Sequence, residues 1–368
     1  MKRFITIFPN GTNIHLVKDV GMVPYFLQKE GYYKSSIACY ERREDMGYLD
    51  NEVHGLSYYK IRRIFDNENL NIFIFLLFHL RRFDVVMFFH QSFIKTLVAL
   101  FVKAITFNRV KFYFKLDAND SIKESKLAKS TGLWRRFKVY LYNKIDLISV
   151  ETQSLKIFFN SNLALRVAYI PNGFDFDKLA FVNGRELTEY KENRIVLVGR
   201  IGAPEKDNLT MLKALAEIDL GGWEVEFIGP IAASFEQEIV RFFAQNPGLK
   251  SKVLFTGAVM DRNMLLSKLR RSKVFVQTSK FESFGIALLE GVSCGCYVVS
   301  TDLTPAQEIA GPYGLFFEIG NFKKLAVILQ SIIDVKIHLP SEVAIISRAE
   351  QEFSWSFIAK KIHACLNS

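Results

Sequence analysis

The chain has 368 residues, 48 Lys and Arg against 38 Asp and Glu, and a net charge of +10. That length is long for one core and ordinary for two α/β domains. No sequence repeat of about 20 to 50 residues is visible, and no helix-turn-helix, zinc-finger spacing or aromatic RNA-binding motif accompanies the basic charge, so nucleic acid is not expected as a partner.

The first predicted element is a strand over Arg3–Phe8. Only Phe4-Ile5-Thr6-Ile7-Phe8 separates the basic start from Pro9, too short for a secretory apolar region, and the chain is expected in the cytoplasm. The loop Pro9-Asn10-Gly11-Thr12-Asn13-Ile14-His15 follows, and then a helix carrying Lys18-Asp19, either directed at a cleft or a pair on the helix surface. Asn71–Arg82 mixes apolar and aromatic residues with a basic end. Its apolar run Ile72–Leu80 is too short for a bilayer span, which needs about 20 residues. A strand over Val85–Phe89 is predicted to project His90 from its end, where an imidazole can bond an acceptor or a phosphate or serve as a cap. Strands follow over Lys111–Leu116 and Leu147–Val150.

Between them, Leu133-Trp134-Arg135-Arg136-Phe137-Lys138-Val139-Tyr140-Leu141-Tyr142 interleaves basic and aromatic residues. Residues 1–180 carry 27 Lys and Arg against 17 Asp and Glu, whereas residues 181–368 carry 21 of each, so the whole excess lies in the first half. Such a mixture suits peripheral contact with an anionic membrane, each basic residue near the surface contributing about 1 kcal/mol; a buried role for Ile72–Leu80, Trp134 and Phe137 is the alternative.

The stretch Asn172–Asn193 reads as a link between domains. The run Arg194-Ile195-Val196-Leu197-Val198 then reads as a strand, followed by Gly199-Arg200-Ile201-Gly202-Ala203-Pro204-Glu205-Lys206-Asp207-Asn208 and a helical pattern at Leu209, Leu212 and Leu215. Arg200 and Lys206 thus flank a strand-to-helix turn, the place where open α/β sheets bind ligands, and as fixed cations they suit a diphosphate. A second such turn follows Lys273-Val274-Phe275-Val276-Gln277. Here Phe281-Glu282-Ser283-Phe284-Gly285-Ile286-Ala287-Leu288-Leu289-Glu290 puts Glu282 in a polar loop and Glu290 inside a helix that starts near Gly285. The unpartnered N–H groups of its first turn suit a phosphate, and the two carboxylates are far enough apart to grip different ends of one hydroxyl-rich ligand. Solvated charges are the plain alternative for each of these residues. The four cysteines suit a reducing compartment: Cys39 and Cys365 are isolated, Cys294 and Cys296 straddle Gly295, and neither a metal nor a redox role is expected. A closing helix is predicted over Phe353–Ile362.

Three ordered motifs, Ile170-Pro171-Asn172-Gly173-Phe174-Asp175, Gly199-Arg200 with Lys206, and Glu282 to Glu290 followed by Ser293-Cys294-Gly295-Cys296-Tyr297-Val298-Val299-Ser300, resemble those of the retaining glycosyltransferases of family 4. The resemblance is firm over about residues 165–310. It implies a GT-B architecture: two Rossmann-like α/β/α domains facing a central cleft, residues 1–175 with 350–368 on the acceptor side and residues 176–349 on the donor side, the C-terminal helix crossing back to the N-terminal domain. It also implies a metal-independent enzyme that moves a hexose-type sugar from a nucleoside diphosphate sugar, and the basic, aromatic-rich first half makes a lipid-linked or glycan acceptor at the inner face of the cell membrane the expected partner. In that scheme Arg200, Lys206 and the backbone of Gly285, Ile286, Ala287 and Leu288 stabilise the departing diphosphate, Glu290 holds ribose and Glu282 orients the sugar. Gly199, Ser283 and Phe284 line the donor, Gly11 stands where the family has a glycine-rich loop, and His90 and Asp117 face the acceptor. The family often carries a histidine after the strand that ends at Leu116; this chain has Asp117-Ala118-Asn119-Asp120. A non-catalytic partner of a polysaccharide assembly complex, or another GT-B enzyme such as an epimerase, is the alternative, and the presence together of Arg200, Lys206, Glu282 and Glu290 argues against the first of these.

Overall fold

The computed structural model describes residues 1–41, 46–124, 132–182 and 191–367. The chain divides into two compact units, residues 1–173 with 355–368, and residues 174–354. The second unit is thus a few residues wider at each end than the expected 176–349.

In the first unit, seven parallel strands, β1 (Arg3–Ile7), β2 (Lys34–Tyr40), β3 (Ser57–Ile61), β4 (Val85–Phe89), β5 (Lys111–Lys115), β6 (Leu147–Val150) and β7 (Ala168–Tyr169), form a sheet in the order β3-β2-β1-β4-β5-β6-β7. Alternation sorts side chains between two layers. Phe88, Phe112 and Phe114 enter the core on one face, and Met87, Phe89 and Tyr113 enter the core on the other. The second layer is closed by the helices Asp19–Lys29 and Trp355–Asn367, which pack together with Phe26 stacked on Trp355 at 6.2 Å. The C-terminal helix therefore belongs to the first unit. Gly173 permits this close fit, since a Cβ there would lie 2.7 Å from the Trp355 ring.

The expected closing helix over Phe353–Ile362 is corrected. One helix ends at Phe353 and another starts at Trp355, with Ser354 in extended conformation between them. That break lets the chain leave the second unit and return to the first.

The second unit holds β8 (Glu192–Val198), β9 (Glu224–Ile228), β10 (Val253–Gly257), β11 (Ser272–Gln277), β12 (Tyr297–Thr301) and β13 (Gly314–Phe317), all parallel, in the order β10-β9-β8-β11-β12-β13. Its central strands carry the buried runs Ile195-Val196-Leu197, Val274-Phe275-Val276 and Tyr297-Val298-Val299, as parallel strands covered on both faces require. The strand order reverses between β8 and β11, which are paired in the sheet. Open α/β sheets bind ligands outside the carboxyl ends of the strands at such a reversal. Both predicted ligand turns, after Val198 and after Gln277, leave the sheet at that point.

Candidate active site

The turn after β8 is fixed by a close backbone crossing. At Gly229, with φ +142°, a Cβ would fall 1.8 Å from the carbonyl oxygen of Gly199, so only glycine fits there. The Gly202 N–H donates to Asn208 Oδ1 at 2.7 Å and ties the turn to the helix Asn208–Leu215. The two ligand turns are also bound to each other: Thr278 Oγ1 donates to the Lys206 carbonyl at 2.7 Å, and the Lys280 N–H donates to the Glu205 carbonyl at 2.8 Å. Thr301 Oγ1 in β12 donates to the Ser279 carbonyl at 2.6 Å and braces the second turn from beneath.

Within this frame Lys206 Nζ lies 2.5 Å from Glu282 Oε1, and Ser279 Oγ donates to the same oxygen at 2.7 Å. Both side chains are mostly buried, so the pair is a joined unit rather than two solvated charges. Arg200 is 70% exposed and pairs with Glu205, which leaves it at the open side of the turn. Glu290 is buried and bonds the guanidinium of Arg262, the first residue of the helix Arg262–Arg271. The structure thus rejects a solvated role for Glu290.

The helix expected near Gly285 runs over Ile286–Ser293, with Gly285 as its N-cap at φ +100°. Leu289 is the first residue whose N–H returns into the helix, to the Gly285 carbonyl; the amides of Ile286, Ala287 and Leu288 precede it and form the positive end of the helix dipole. Ser283 and Gly285 are half-buried at this end. Phe284 requires a correction: its ring is buried in the unit's core, edge-on to Phe353 at 6.2 Å, and only its backbone is available to a ligand.

In the first unit His90 and Asp117 are exposed at the ends of the neighbouring strands β4 and β5, and the His90 N–H extends the ladder to the Lys115 carbonyl at 3.1 Å. Gly11 is corrected as a phosphate-binding amide. Its N–H donates to the Phe8 carbonyl at 2.8 Å, and its lack of a side chain serves packing, a Cβ there lying 2.6 Å from Cys39 Sγ. Of the two roles expected for Asp19, the helix-surface pair is rejected, since Asp19 is buried and pairs with Lys115. Sequence reasoning missed Arg262, Ser279, Lys115 and Glu151. For Arg262 no local signal exists; for Lys115, a lysine at the position that alternates with Tyr113 in a buried strand was the available sign.

Residues 192–334, which hold the whole Lys206, Glu282 and Glu290 constellation, match the family described as Glycosyl transferases group 1. The chain is 27% identical over 198 residues to a phosphatidyl-myo-inositol mannosyltransferase of Mycobacterium leprae, covering 52% of this chain and 51% of the relative. It is 24% identical over 238 residues to the capsular polysaccharide biosynthesis glycosyltransferase CapH of Staphylococcus aureus, covering 60% and 64%. The matched stretch thus spans about half the length of the first of these curated relatives. Among solved structures, Anabaena HepE in complex with UDP and glucose superposes with a TM-score of 0.71 at 16% identity over 100% of both chains. Sucrose-phosphate synthase from Thermosynechococcus elongatus gives 0.73 at 16% identity over 100% and 98%. These likenesses show the fold, which is that of GT-B glycosyltransferases.

Proposed function

We propose that the protein is a retaining glycosyltransferase that moves a hexose-type sugar from a nucleoside diphosphate sugar to a lipid-linked or glycan acceptor in cell-surface glycan synthesis. The observation that carries this is the Lys206–Glu282 pair at the strand-order reversal, beside the open end of the helix Ile286–Ser293. In the free protein the two charges satisfy each other. A donor exchanges that pair for its own groups: the diphosphate takes Lys206, Arg200 and the helix amides, and the sugar hydroxyls take Glu282. Glu290, oriented by Arg262, binds the ribose. Positive charge fixed before the reaction stabilises the leaving diphosphate as the bond from its oxygen to the anomeric carbon breaks and the glycosidic bond to the acceptor forms, the term that commonly contributes most to catalysis. Relatives named as mannosyltransferase and capsular polysaccharide glycosyltransferase, and the UDP-bound HepE, support the same substrate class.

The expected result is transfer from at least one donor in a panel of UDP- and GDP-sugars, with retained anomeric configuration and an undiminished rate in excess EDTA. Inverted product, or a rate abolished by EDTA and restored by a divalent ion, would sink this scheme.

The surface of the first unit supports a lipid-linked acceptor. Among the described residues no helix is long and apolar enough to cross a membrane. The helix Leu133–Tyr142 nevertheless exposes Leu133, Trp134, Phe137 and Tyr140 beside Arg136, with Trp134 59% accessible. These rings are not core, which removes the buried alternative for them. Ile72, Phe75 and Leu76 of the helix Glu68–His79 are buried, whereas Leu77 and Phe78 are exposed. Contacts of Phe93 with Trp134 and of Phe73 with Phe101 join both helices to Phe93–Ile105, which exposes Ile94, Leu97 and Phe101. One apolar face edged with basic residues results, suited to the cytoplasmic leaflet of an anionic membrane. The protein should co-sediment with phosphatidylglycerol vesicles at low salt, and Trp134→Glu with Phe137→Glu should abolish this; equal sedimentation of wild type and double variant would refute the contact.

A further inference from the structure

A buried cluster of charge in the first unit has no part in the donor site. Lys115 ends β5 and is fully buried. Its ammonium lies 3.0 Å from Glu151 Oε1 and 3.7 Å from Asp19 Oδ2, and donates to the Ile170 carbonyl at 3.3 Å. Glu151, directly after β6, is equally buried, and apart from that ammonium neither of its oxygens has a hydrogen-bonding partner among the described residues. Asn172 Oδ1, two residues beyond Ile170, is also buried without a partner. Buried polar atoms are normally satisfied, so unfilled capacity at one place in a fold points to a bound group.

The location supports this. In this sheet the strand order reverses between β1 and β4, and ligands bind outside the carboxyl ends of strands beside such a reversal. Asp19 starts the buried helix that follows β1, His90 follows β4, Lys115 and Asp117 stand at the end of β5, and Glu151 at the end of β6. One ammonium faces two buried carboxylates, with Asp117 exposed nearby. Ordinary ionisation would leave surplus negative charge out of water, so the cluster retains one proton. Glu151 keeps it: burial, against the pull of Lys115, pushes its carboxyl up to about 8. Burial raises Asp19 as well, again opposed by Lys115, but Asp19 retains 12% side-chain exposure and sits in the first turn of a helix, where a negative charge is favoured.

We propose that Asp19 is the residue of this unit that accepts a hydrogen bond from the acceptor hydroxyl, and that Lys115 and Glu151 are the positioning residues that keep it anionic and fixed. The inference rests on the glycosyl-transfer function proposed above and adds the acceptor side to it. The charged and titratable groups that act on Asp19 and Glu151 are Lys18 beside Asp19, Tyr113 and Lys115 from β5, and Asp117 beyond it. Tyr113, pushed up to about 12 by burial, stays neutral throughout. Because the Glu151 carboxyl titrates higher in the folded chain than in the unfolded one, its contribution to stability is complete below the unfolded value of about 4.3 and is lost as pH rises toward about 8.

The test has two arms. In thermal unfolding from about pH 5 to about pH 8, the wild type is expected to lose several degrees of Tm relative to Glu151→Gln, which has the shape of the neutral form and cannot ionise. In transfer from UDP-glucose and GDP-mannose to octyl glycosides, Asp19→Asn is expected to raise the acceptor KM about tenfold or more with the donor KM within about twofold, and Glu151→Gln to remove the alkaline fall in transfer that the wild type shows above about pH 8. An acceptor KM unchanged in Asp19→Asn, or the same pH dependence of Tm in wild type and Glu151→Gln, overturns the assignment. A wild type that consumes neither donor, with the Tm difference intact, counts instead against the glycosyl-transfer function on which the inference rests.

Discussion

Replacing Lys206 by alanine is expected to lower sugar transfer about 10²–10³-fold while the protein stays folded. The substitution removes the ammonium that lies 2.5 Å from Glu282, and with it the fixed positive charge proposed for the leaving diphosphate. It also leaves the Glu282 carboxylate without its cation at the place where a dianionic group must enter, so donor binding is opposed as well as unsupported. Glu282→Gln should lose a comparable factor for a different reason: the amide keeps the shape and the Ser279 contact but offers no negative charge to the sugar as positive charge develops at its anomeric carbon. Because both residues act on one donor, the double variant should be little slower than either single one. Initial rates with saturating acceptor test this. A near-wild-type rate in either single variant would remove the pair from the mechanism.

Lys115→Met should destabilise the protein by about 3–5 kcal/mol, the usual result of removing one partner from a buried ionic group. The side chain is wholly buried between Glu151 and Asp19, and methionine fills its volume without its charge. Two carboxyls then remain out of water with no cation, and both must be protonated or the surrounding structure must open. Adding Asp19→Asn to Lys115→Met should restore part of the loss, since the carboxyl that the cluster holds as an anion is then gone. Urea unfolding at neutral pH measures both effects. A loss below about 1 kcal/mol for Lys115→Met would mean that water reaches the cluster.

The two strand-to-helix turns proposed as the donor site were legible because their signals are local. A strand ending at Val198 or Gln277, a polar turn and a helical apolar pattern are each written within about 20 residues, and the helix start at Gly285 follows from the spacing of Ile286, Leu289 and Val292. The partnership of Lys206 with Glu282 was not legible, since it depends on β8 and β11 lying side by side in a sheet whose order the spacing does not reveal. Arg262 was missed for the same reason: it reaches Glu290 from another helix. In the first unit the strand expected over Lys111–Leu116 carries a lysine at each end of the aromatic run Phe112-Tyr113-Phe114, and nothing in that pattern marks which one is buried. Only the packing of the helix Asp19–Lys29 over one face turns Lys115 into a buried charge. The helix-surface alternative for Lys18-Asp19 fails because that helix is covered by a second one, Trp355–Asn367, which lies at the far end of the chain. The absence of a histidine after Leu116 acquires a physical counterpart here: Asp117 is exposed at the end of β5, and behind it lies the Asp19, Lys115 and Glu151 cluster.

In the proposed scheme a nucleoside diphosphate sugar displaces the Lys206–Glu282 pair and is held by positive charge that the chain itself supplies. Titration calorimetry of the wild type and Lys206→Ala with UDP- and GDP-sugars in excess EDTA tests this most directly. Saturable binding of at least one donor by the wild type, weakened about tenfold or more in the variant, is expected. Equal affinity in the two proteins, or no binding of any donor by the wild type, would contradict it.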